Sequence, residues 1–239
     1  MTDRSQRPAT AARIAAIDRA AIDRIGIPRL LLMDHAGLAV ADEALRLATH
    51  RDRARRLKPH HSIRETLRFF ICAGTGFNGG DGLSAGRHLA GLGHRVHCFL
   101  IGARNALRQE PAIFASILDY LHVRIMERPD GFRARDRAVL RQCDAAIDAL
   151  LGVGLRGPVR PGAANAIEAL NDSRVPIVSA DVPSGLDADT GQPHGVAIRA
   201  RVTVTFGLPK LGFFRKGAAK YVGRLVVNTI TIPKSLLTP

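Results

Sequence analysis

The sequence has no tryptophan, and aromatic residues make up only 5% of its 239 positions. Proteins that bind single-stranded nucleic acids usually stack the bases on aromatic side chains. The most basic stretch of the chain, RDRARRLKPHHSIR at 51–64, contains no Phe, Tyr or Trp. We therefore interpret residues 51–66 as a solvated basic linker, and nucleic acid is not an expected partner.

Cysteine is also scarce, with only Cys72, Cys98 and Cys143. An odd number of separated cysteines excludes a disulfide framework and a zinc-ligand cluster, and is typical of buried thiols in a reducing compartment. No apolar run approaches the roughly 20 residues of a membrane span. The opening MTDRSQRPAT lacks the apolar segment of a signal peptide. These absences predict a soluble cytoplasmic protein with no membrane partner.

Acidic residues are outnumbered by basic ones, with 21 Asp and Glu against 35 Lys and Arg and a net charge of +14. A positive balance favours anionic partners, nucleotides among them, without choosing between them. The length fits one α/β domain. The hydrophobic fraction of 46% suffices for its core. We expect a single domain over residues 1–239.

The first 50 residues have the composition of a helical lead-in. Residues 9–24 favour a helix, which Gly26 and Pro28 interrupt because neither residue is stable inside a helix. A second helix is expected to follow, up to about His50. The lead-in over 1–50 therefore precedes the basic linker.

Beyond the linker, short apolar runs alternate with helical stretches predicted near 82–92, 110–122 and 162–171. Such alternation predicts a mostly parallel sheet with helices on both faces, a three-layer Rossmann-like α/β fold over residues 67–239. Ligands of such sheets bind beyond the carboxyl ends of the strands. The predicted strands are RFFICAG, RVHCFLIG, VRIME, AAIDALLG, VPIVSADV, RVTVTFG and GRLVVNTI.

The stretch GTGFNGGDG follows the first predicted strand, and its Gly74, Gly76 and Gly79 match the pattern G-x-G-x-x-G. Between a strand and a helix, this pattern indicates a loop whose amides approach a dinucleotide pyrophosphate. The acid that usually binds the ribose is missing, because no Asp or Glu occurs between Asp81 and Glu110. A standard NAD-dependent dehydrogenase is therefore disfavoured. Asp81 itself either caps the helix or holds a ligand hydroxyl.

Polar side chains mark two further strand ends. Asp148 lies in an apolar run, where a carboxylate is costly without a partner. It is either a turn or arginine-paired acid, or part of a cation or ligand site. Pro183 disfavours helical geometry at Val182, so Asp181 should end its strand and face a cleft. Ser184 either caps a turn or offers a hydroxyl ligand.

Two weaker candidates complete the set of strand ends. The glycines at 152, 154 and 157 form another loop open to a ligand. Lys210 follows the strand RVTVTFG and is either a surface lysine or a group that contacts a ligand. Asp187 and Asp189 are interpreted as loop acids.

Four motifs in order, GTGFNGGDGLSAGRHL, DALLGVGLRG, DVPSGLDADTG and TFGLPKLG, resemble the NAD(P)H-hydrate epimerase family, also called the YjeF N-terminal domain family. GIPRLLLMDHAG is similar to the helical lead-in of that family. The resemblance spans roughly Ala21 to Pro233. It implies the Rossmann-like fold, a homodimer, and interconversion of the R and S hydrates of NADH and NADPH (NADHX and NADPHX). A separate dehydratase, an implied partner, repairs the S form.

The resemblance also implies the site. Asp181 is the first choice for acid or base catalysis and Asp81 the second. Asn78, Asp148 and Ser184 match the ligands of a potassium ion, and all three offer the oxygen atoms that a hard cation prefers. The implied substrate contacts are Phe77, Asn78, Gly79, Gly80, Asp81, Gly152, Val153, Gly154, Leu155, Arg156, Gly157, Pro158 and Asp181.

One position departs from the pattern, because Phe77 stands where the family commonly has asparagine. Some relatives with this domain act as binding modules, so the alternative function is a non-catalytic scaffold that binds a nucleotide or RNA. A dinucleotide-dependent oxidoreductase is a more distant alternative. The enzyme is favoured because a scaffold has no evident need for Asn78, Asp81, Asp148, Asp181 and Ser184 together.

Overall fold

A computed structural model describes residues 7–55 and 66–238, without the side chains of 51–55. Most of the predicted linker, residues 56–65, lies outside this description. Residues 51–55 continue a helix, so the prediction of a linker from residue 51 is wrong.

The described residues form one seven-stranded sheet in which all pairs are parallel, in the order β3-β2-β1-β4-β5-β6-β7. Every predicted strand is present. The runs in the middle of the sheet are almost entirely buried, as is typical of a parallel sheet covered on both faces, whereas the strands at its two edges are only partly buried. The strands are β1 Arg68–Ala73, β2 Arg95–Leu100, β3 Ile125–Glu127, β4 Ala145–Ala149, β5 Ile177–Ala180, β6 Val202–Phe206 and β7 Arg224–Asn228.

Helices connect and cover these strands. The three predicted between strands are confirmed as α3, α4 and α6, and three short ones, α5, α7 and α8, were not predicted. A π-helical turn, Ala20–Arg24, follows α1. The helices are α1 Ala11–Arg19, α2 Arg29–Arg55, α3 Phe77–Gly91, α4 Gln109–Tyr120, α5 Ala134–Arg141, α6 Pro161–Asp172, α7 Ala219–Val222 and α8 Lys234–Leu237.

Side chains of β1 alternate between two hydrophobic cores, as strand geometry requires. Phe69 and Ile71 face the core shared with α1 to α4, whereas Phe70 and Cys72 face the core shared with α5 and α6. The ring of Phe70 stacks on Phe99 with centroids 4.5 Å apart. Helices thus cover both faces of the sheet, which confirms the three-layer fold.

The helical lead-in packs closely against α3. A Cβ atom on Gly37 would overlap the side chain of Ser84, so only glycine permits this distance between α2 and α3. Asp34 on α2 accepts hydrogen bonds from Ser84 Oγ, at 2.8 Å, and from the guanidinium of Arg87. The lead-in and the sheet therefore share one hydrophobic core.

The segment before α1 is attached to the end of the sheet. Ala9 forms a parallel bridge with Lys210, in which Ala9 N donates to Pro209 O and Leu211 N donates to Ala9 O, each at 2.9 Å. The carboxylate of Asp189 accepts from Ala11 N at 2.7 Å, so this loop acid holds the start of α1. These bonds place α1 over the carboxyl ends of β5 and β6.

The glycine-rich stretch is mostly helix rather than the predicted loop. Helix α3 begins at Phe77 with Gly76 as its N-cap. A Cβ atom on Gly79 would overlap the Gly74 carbonyl oxygen, and one on Gly82 would overlap Ala149 Cβ. These glycines therefore serve the close approach of α3 to the ends of β1 and β4. Asp81 lies one turn inside α3, so its interpretation as a helix cap is wrong.

Two expectations from composition can be compared with the structure. All three cysteines are buried, as predicted. No helix within 7–55 or 66–238 is long and apolar enough to cross a membrane.

Candidate active site

A cleft of about 970 Å³ opens at the carboxyl ends of the strands. This volume is within the range of small-molecule sites. Its walls come from α1, α2, the start of α3, and the loops after β1, β4, β5 and β6. Of the predicted substrate contacts, the lining includes Phe77, Asn78, Asp81, Gly152, Val153, Gly154, Leu155, Arg156, Pro158 and Asp181.

Three predicted contacts, Gly79, Gly80 and Gly157, are not among the lining residues. Gly80 packs against Met33, and a Cβ atom there would overlap the thioether sulfur. Gly157 has a positive φ of 71°, which fits a tight turn. The structure gives these residues roles in packing and in turn geometry, and their contact with a substrate stays a prediction.

Asp181 directly follows β5 and ion-pairs with Lys210. Its Oδ1 also accepts from Phe206 N at 3.2 Å and from Thr205 Oγ1 at 3.3 Å. Its φ of +62° is unusual for a residue other than glycine. Such strain persists only where the surroundings enforce it, and it clusters at functional sites. The contacts therefore fix this carboxylate at the cleft wall.

Lys210 is not a surface lysine, because its side chain is 0% exposed. Its Nζ donates to Asp181 and, at 3.0 Å, to the carbonyl oxygen of Phe206. A buried ammonium is stable only when it is paired and hydrogen-bonded. Lys210 therefore acts on Asp181, and because it also lines the cleft its direct contact with a ligand stays a prediction.

Asp18 of α1 lines the same cleft and was missed by the sequence analysis. Burial raises its pKa to about 6, and the nearby Asp181 carboxylate adds to the effect, while Lys210 and Arg29 oppose it. Burial likewise raises the pKa of Asp81 well above its usual range, with Asp181 and Asp18 contributing. We call Asp18, Asp81 and Asp181 the acid cluster.

Asp18 carried no signal in the sequence. The run RIAAIDRAAIDR contains both Asp18 and Asp23, and helix composition alone does not tell them apart. The structure exposes Asp23 and leaves Asp18 only partly exposed. The bridge between Ala9 and Lys210, which connects distant parts of the chain, helps to place Asp18 at the strand ends.

Asn78, Asp148 and Ser184 meet around the backbone of Leu151. Asn78 Nδ2 donates to Leu151 O at 3.0 Å, and Leu151 N donates to Ser184 Oγ at 2.8 Å. The Asp148 carboxylate accepts from Ser184 N at 2.9 Å and from Ser179 Oγ at 2.7 Å. Neutral donors rather than arginine thus hold Asp148, inside β4 rather than in a turn, so both simpler interpretations of this residue are wrong.

Two features distinguish this group, which we call the oxygen pocket. Asn78 Oδ1 is buried and has no hydrogen-bond partner in the described part of the chain. Burial raises the pKa of Asp148, and its hydrogen bonds oppose that effect. No cluster of three or more His, Cys, Asp or Glu side chains in the described residues could hold a metal ion. Any cation here would depend on amide and hydroxyl oxygens beside the single carboxylate.

Phe77, the residue that departs from the family pattern, contacts two arginines. The Cζ atoms of Arg29 and Arg108 each lie 4.4 Å from the centre of its ring, within the range of cation–π interactions. Arg29 also pairs with Glu110 at 3.4 Å. We call the four arginines that line the cleft the arginine rim, namely Arg29, Arg108, Arg156 and Arg160.

Comparison with known proteins identifies the family. The model of the family described as YjeF-related protein N-terminus matches residues 29–212, which is more than half of the chain. The chain belongs to the YjeF-related N-terminal family. The resemblance of the four motifs is thereby confirmed.

Relatives in this family cover nearly the whole chain. The NAD(P)H-hydrate epimerase of Limosilactobacillus fermentum is 36% identical over 223 residues, which cover 93% of this chain and 96% of that protein. The protein of the same name from Rhodopirellula baltica is 33% identical over 230 residues, covering 96% and 86%. Both relatives therefore match this chain over most of their own length.

A longer YjeF-related protein and a solved structure extend the comparison. The bifunctional NAD(P)H-hydrate repair enzyme Nnr of Hyperthermus butylicus is 40% identical over 229 residues, but this match covers only 38% of that enzyme. The crystal structure of yeast ynu0 superposes with a TM-score of 0.73 at 24% identity, covering 92% of this chain and 87% of the yeast chain. The yeast structure confirms the fold.

Proposed function

We propose that this protein is an NAD(P)H-hydrate epimerase, an isomerase that interconverts the R and S forms of NADHX and NADPHX. The observation that carries the proposal is the acid cluster inside a cleft of a YjeF-related chain. Relatives named for this activity match nearly the whole chain. A scaffold that binds nucleotide or RNA is not favoured, because it does not require three carboxyl groups around a buried lysine.

The reaction inverts one carbon, C6 of the hydrated nicotinamide ring, which carries a hydroxyl and is bonded to the ring nitrogen. The nitrogen lone pair expels the hydroxyl, an acid protonates it, and it leaves as water. The ring is then an iminium-like cation. Water returns to the opposite face and gives a proton to a base. No electron leaves the dinucleotide, so the step balances without an oxidant or a reductant.

The acid cluster suits this sequence of steps. A carboxylate near the developing cation stabilises it, and such preorganised electrostatic stabilisation is usually the largest catalytic term. Asp181 is suited to this role because Lys210 and the Phe206 amide fix its position. An acid and a base within reach of the hydroxyl and the incoming water contribute about 10²–10⁴-fold each. Asp81, with its raised pKa, can donate a hydrogen bond to the hydroxyl.

The rest of the cleft supports binding of the dinucleotide. Helix α3 points its N-terminus into the cleft beside Gly76 and Phe77, and helix N-termini favour anions. The arginine rim adds positive charge where the phosphates of the substrate would lie.

A potassium ion is proposed for the oxygen pocket. The residues fit such an ion, because Asn78 Oδ1 is buried without a hydrogen-bond partner in the described residues. A bound cation would supply positive charge beside the cleft and would offset the buried charge of Asp148. Asn78 lines the cleft as well, so the ion would also stiffen the start of α3.

Conversion of one purified epimer tests the proposed function directly. Purified protein should convert the R hydrate of NADH into the S hydrate in a chromatographic time course, at a rate well above the uncatalysed one. Run in ¹⁸O-labelled water, the product should carry the label at C6. Retention of the original oxygen would instead indicate ring opening and closure. Absence of conversion would contradict the proposal and favour the scaffold.

The bifunctional relative suggests what consumes the product. That relative is named a bifunctional NAD(P)H-hydrate repair enzyme, and this protein matches about two fifths of its length. We infer that a hydrate dehydratase, on a separate chain or a further domain, removes the S hydrate. A homodimer and a cytoplasmic location stay predictions.

A further inference from the structure

Inversion at C6 involves two proton transfers, one to the departing hydroxyl and one from the returning water. Asp181 is held in an ion pair with Lys210, and it also accepts from a backbone amide. These contacts hold the Asp181 carboxylate in one position. A second carboxyl group that can gain and lose a proton near neutral pH would complete the site.

The geometry provides such a group on α1. Asp18 lines the cleft together with Asp81, Asp181 and Lys210, although it comes from a different element from each of them. Two backbone bonds to Ala9 on either side of Lys210 fix the approach to α1, and Asp189 holds its first turn. Ile14 and Ile17 of the same helix are buried in the core. Asp18 is therefore anchored, and its carboxyl group is partly open to the cleft.

Resting on the proposed function, we propose that Asp18 is a further catalytic residue, which exchanges the proton with the C6 oxygen while Asp181 stabilises the ring cation. In one direction Asp18 gives its proton to the hydroxyl as the C6–O bond breaks, and water leaves. The water that returns to the opposite face loses its proton to solvent as the new C6–O bond forms, and Asp18 regains its own proton from solvent. In the reverse reaction Asp18 takes the proton from the water that attacks its own face, so the atoms balance in both directions.

The surroundings of Asp18 support this role. The charged and titratable groups that face it are Asp181 after β5, Lys210 after β6, Arg29 at the start of α2 and Asp81 on α3. Burial and Asp181 raise the pKa of Asp18 to about 6, so both protonation states are accessible near neutral pH. Burial raises the pKa of Asp81 well above its usual range and so favours its protonated form. Proton exchange is best served by a pKa close to the working pH.

The test compares three variants with the wild type. Asp18→Asn removes the proton and keeps the shape, Asp18→Glu keeps a carboxyl group, and Asp23→Asn makes the same charge change at an exposed site on the adjoining π-helical turn. The rate of conversion of one NADH hydrate epimer is measured from pH 5 to pH 9, with the uncatalysed rate subtracted. Melting temperatures are measured in parallel.

We expect Asp18→Asn to lower kcat by about 10²–10⁴-fold with KM changed less than about threefold, as for loss of a proton-transfer group. The break in the wild-type pH profile near pH 6 should disappear. Asp18→Glu should recover at least part of the lost rate, and Asp23→Asn should behave as the wild type. The melting temperature of Asp18→Asn above pH 6 should be unchanged or higher, since a buried charge is removed.

Four results would overturn the inference. In the first three, Asp18→Asn keeps kcat within threefold, loses rate while the break near pH 6 remains, or loses no more rate than Asp23→Asn does. A loss of rate that Asp18→Glu does not relieve, together with a lower melting temperature for Asp18→Asn, would also assign Asp18 a structural role only. Failure of the wild type to convert the hydrate is a separate outcome, which removes the proposed function and this inference together.

Discussion

The acid cluster and the arginine rim occupy the same cleft but are built in opposite ways. The acid cluster is partly buried, and one member, Asp181, is fixed by an ion pair and a backbone amide. The rim is more open, with Arg108, Arg156 and Arg160 exposed and the Arg29 side chain 38% exposed. Burial raises the pKa of Asp18 and Asp81.

Because of this difference, we expect the acid cluster to determine the catalytic rate and the arginine rim to determine the affinity for the substrate. Fixed groups in a dry environment act on the transition state, because their interactions are stronger there than in water. Exposed arginines can contact an anion in many positions with similar energy, and salt screens their charge. Changes in the acid cluster should therefore lower kcat, and changes in the rim should raise KM.

The largest effect is expected for Asp181→Asn, which should lower kcat by about 10²–10³-fold, as for loss of one group that stabilises charge in the transition state. The variant removes the charge that faces the developing cation and keeps the shape of the side chain. It also leaves Lys210 buried without its anionic partner, and breaking a buried pair costs about 3–5 kcal/mol of folding free energy. Rates and unfolding free energies are both measured.

A double variant distinguishes the loss of catalytic rate from the loss of folding stability. Asp181→Asn combined with Lys210→Met removes both charges and should recover most of the lost stability while the rate stays low. If the double variant regains the rate as well, the effect of Asp181 on catalysis would be structural, and the contrast between cluster and rim would fail.

The next largest effect concerns the oxygen pocket. A cation that binds only the folded protein adds about 2.7 kcal/mol of stability at about 100 times its Kd. The melting temperature should rise more in potassium chloride than in choline chloride at equal concentration. Asp148→Asn and Asn78→Ala should each abolish this difference. Equal melting temperatures of the wild type in both salts would contradict a potassium site.

A smaller effect is expected at the rim. Arg108→Gln should raise KM for the hydrate by about 3- to 30-fold with little change in kcat, since a charge-assisted bond contributes at most about 1.5–3 kcal/mol and exposure reduces it. The increase should shrink in 0.5 M salt. Arg124→Gln, an equal charge change at an exposed position outside the cleft lining, is the control. A loss confined to kcat would place Arg108 with the acid cluster instead.

The smallest effect is expected for Phe77→Leu, which removes the ring that Arg29 and Arg108 contact. Each exposed cation–π contact is worth about 0.5–1 kcal/mol. Without the ring the two arginines are held less firmly in place, so KM should rise by about 2- to 10-fold. Phe77→Asn, the residue common in the family, should show a similar rise unless its amide contacts the substrate. An unchanged KM in both variants would show that the ring does not order the rim.

Much of the fold could be predicted from local sequence. Each strand is a short apolar run, and a run buried on both faces has few alternatives to a parallel sheet. Asp181 could be placed because Pro183 restricts the residue before it. The glycine-rich stretch was expected to be a loop because glycine has low helix propensity. Close packing against Gly74 and Ala149 overrides that propensity.

The parts of the site that escaped prediction depend on contacts between distant segments. Lys210 is buried because Asp181 and the Phe206 carbonyl accept from it. Asp18 reaches the cleft because residue 9 pairs beside Lys210. Neither contact leaves a trace in hydrophobic periodicity or in the spacing of a motif. A surface lysine and a helix-face aspartate are the ordinary interpretation of such residues.

The pairing of the segment before α1 with the end of the sheet has a consequence for the order of folding. Ala11 and Asp189, which close this attachment, lie 178 positions apart in the chain. Contacts between such remote residues form slowly, because the entropy of closing a long loop is lost before they contribute stability. On the ribosome, α1 is made before β5 and β6 and can dock only after they have formed. The sheet can therefore exist briefly without Asp18 beside it, and activity should return later than secondary structure during refolding.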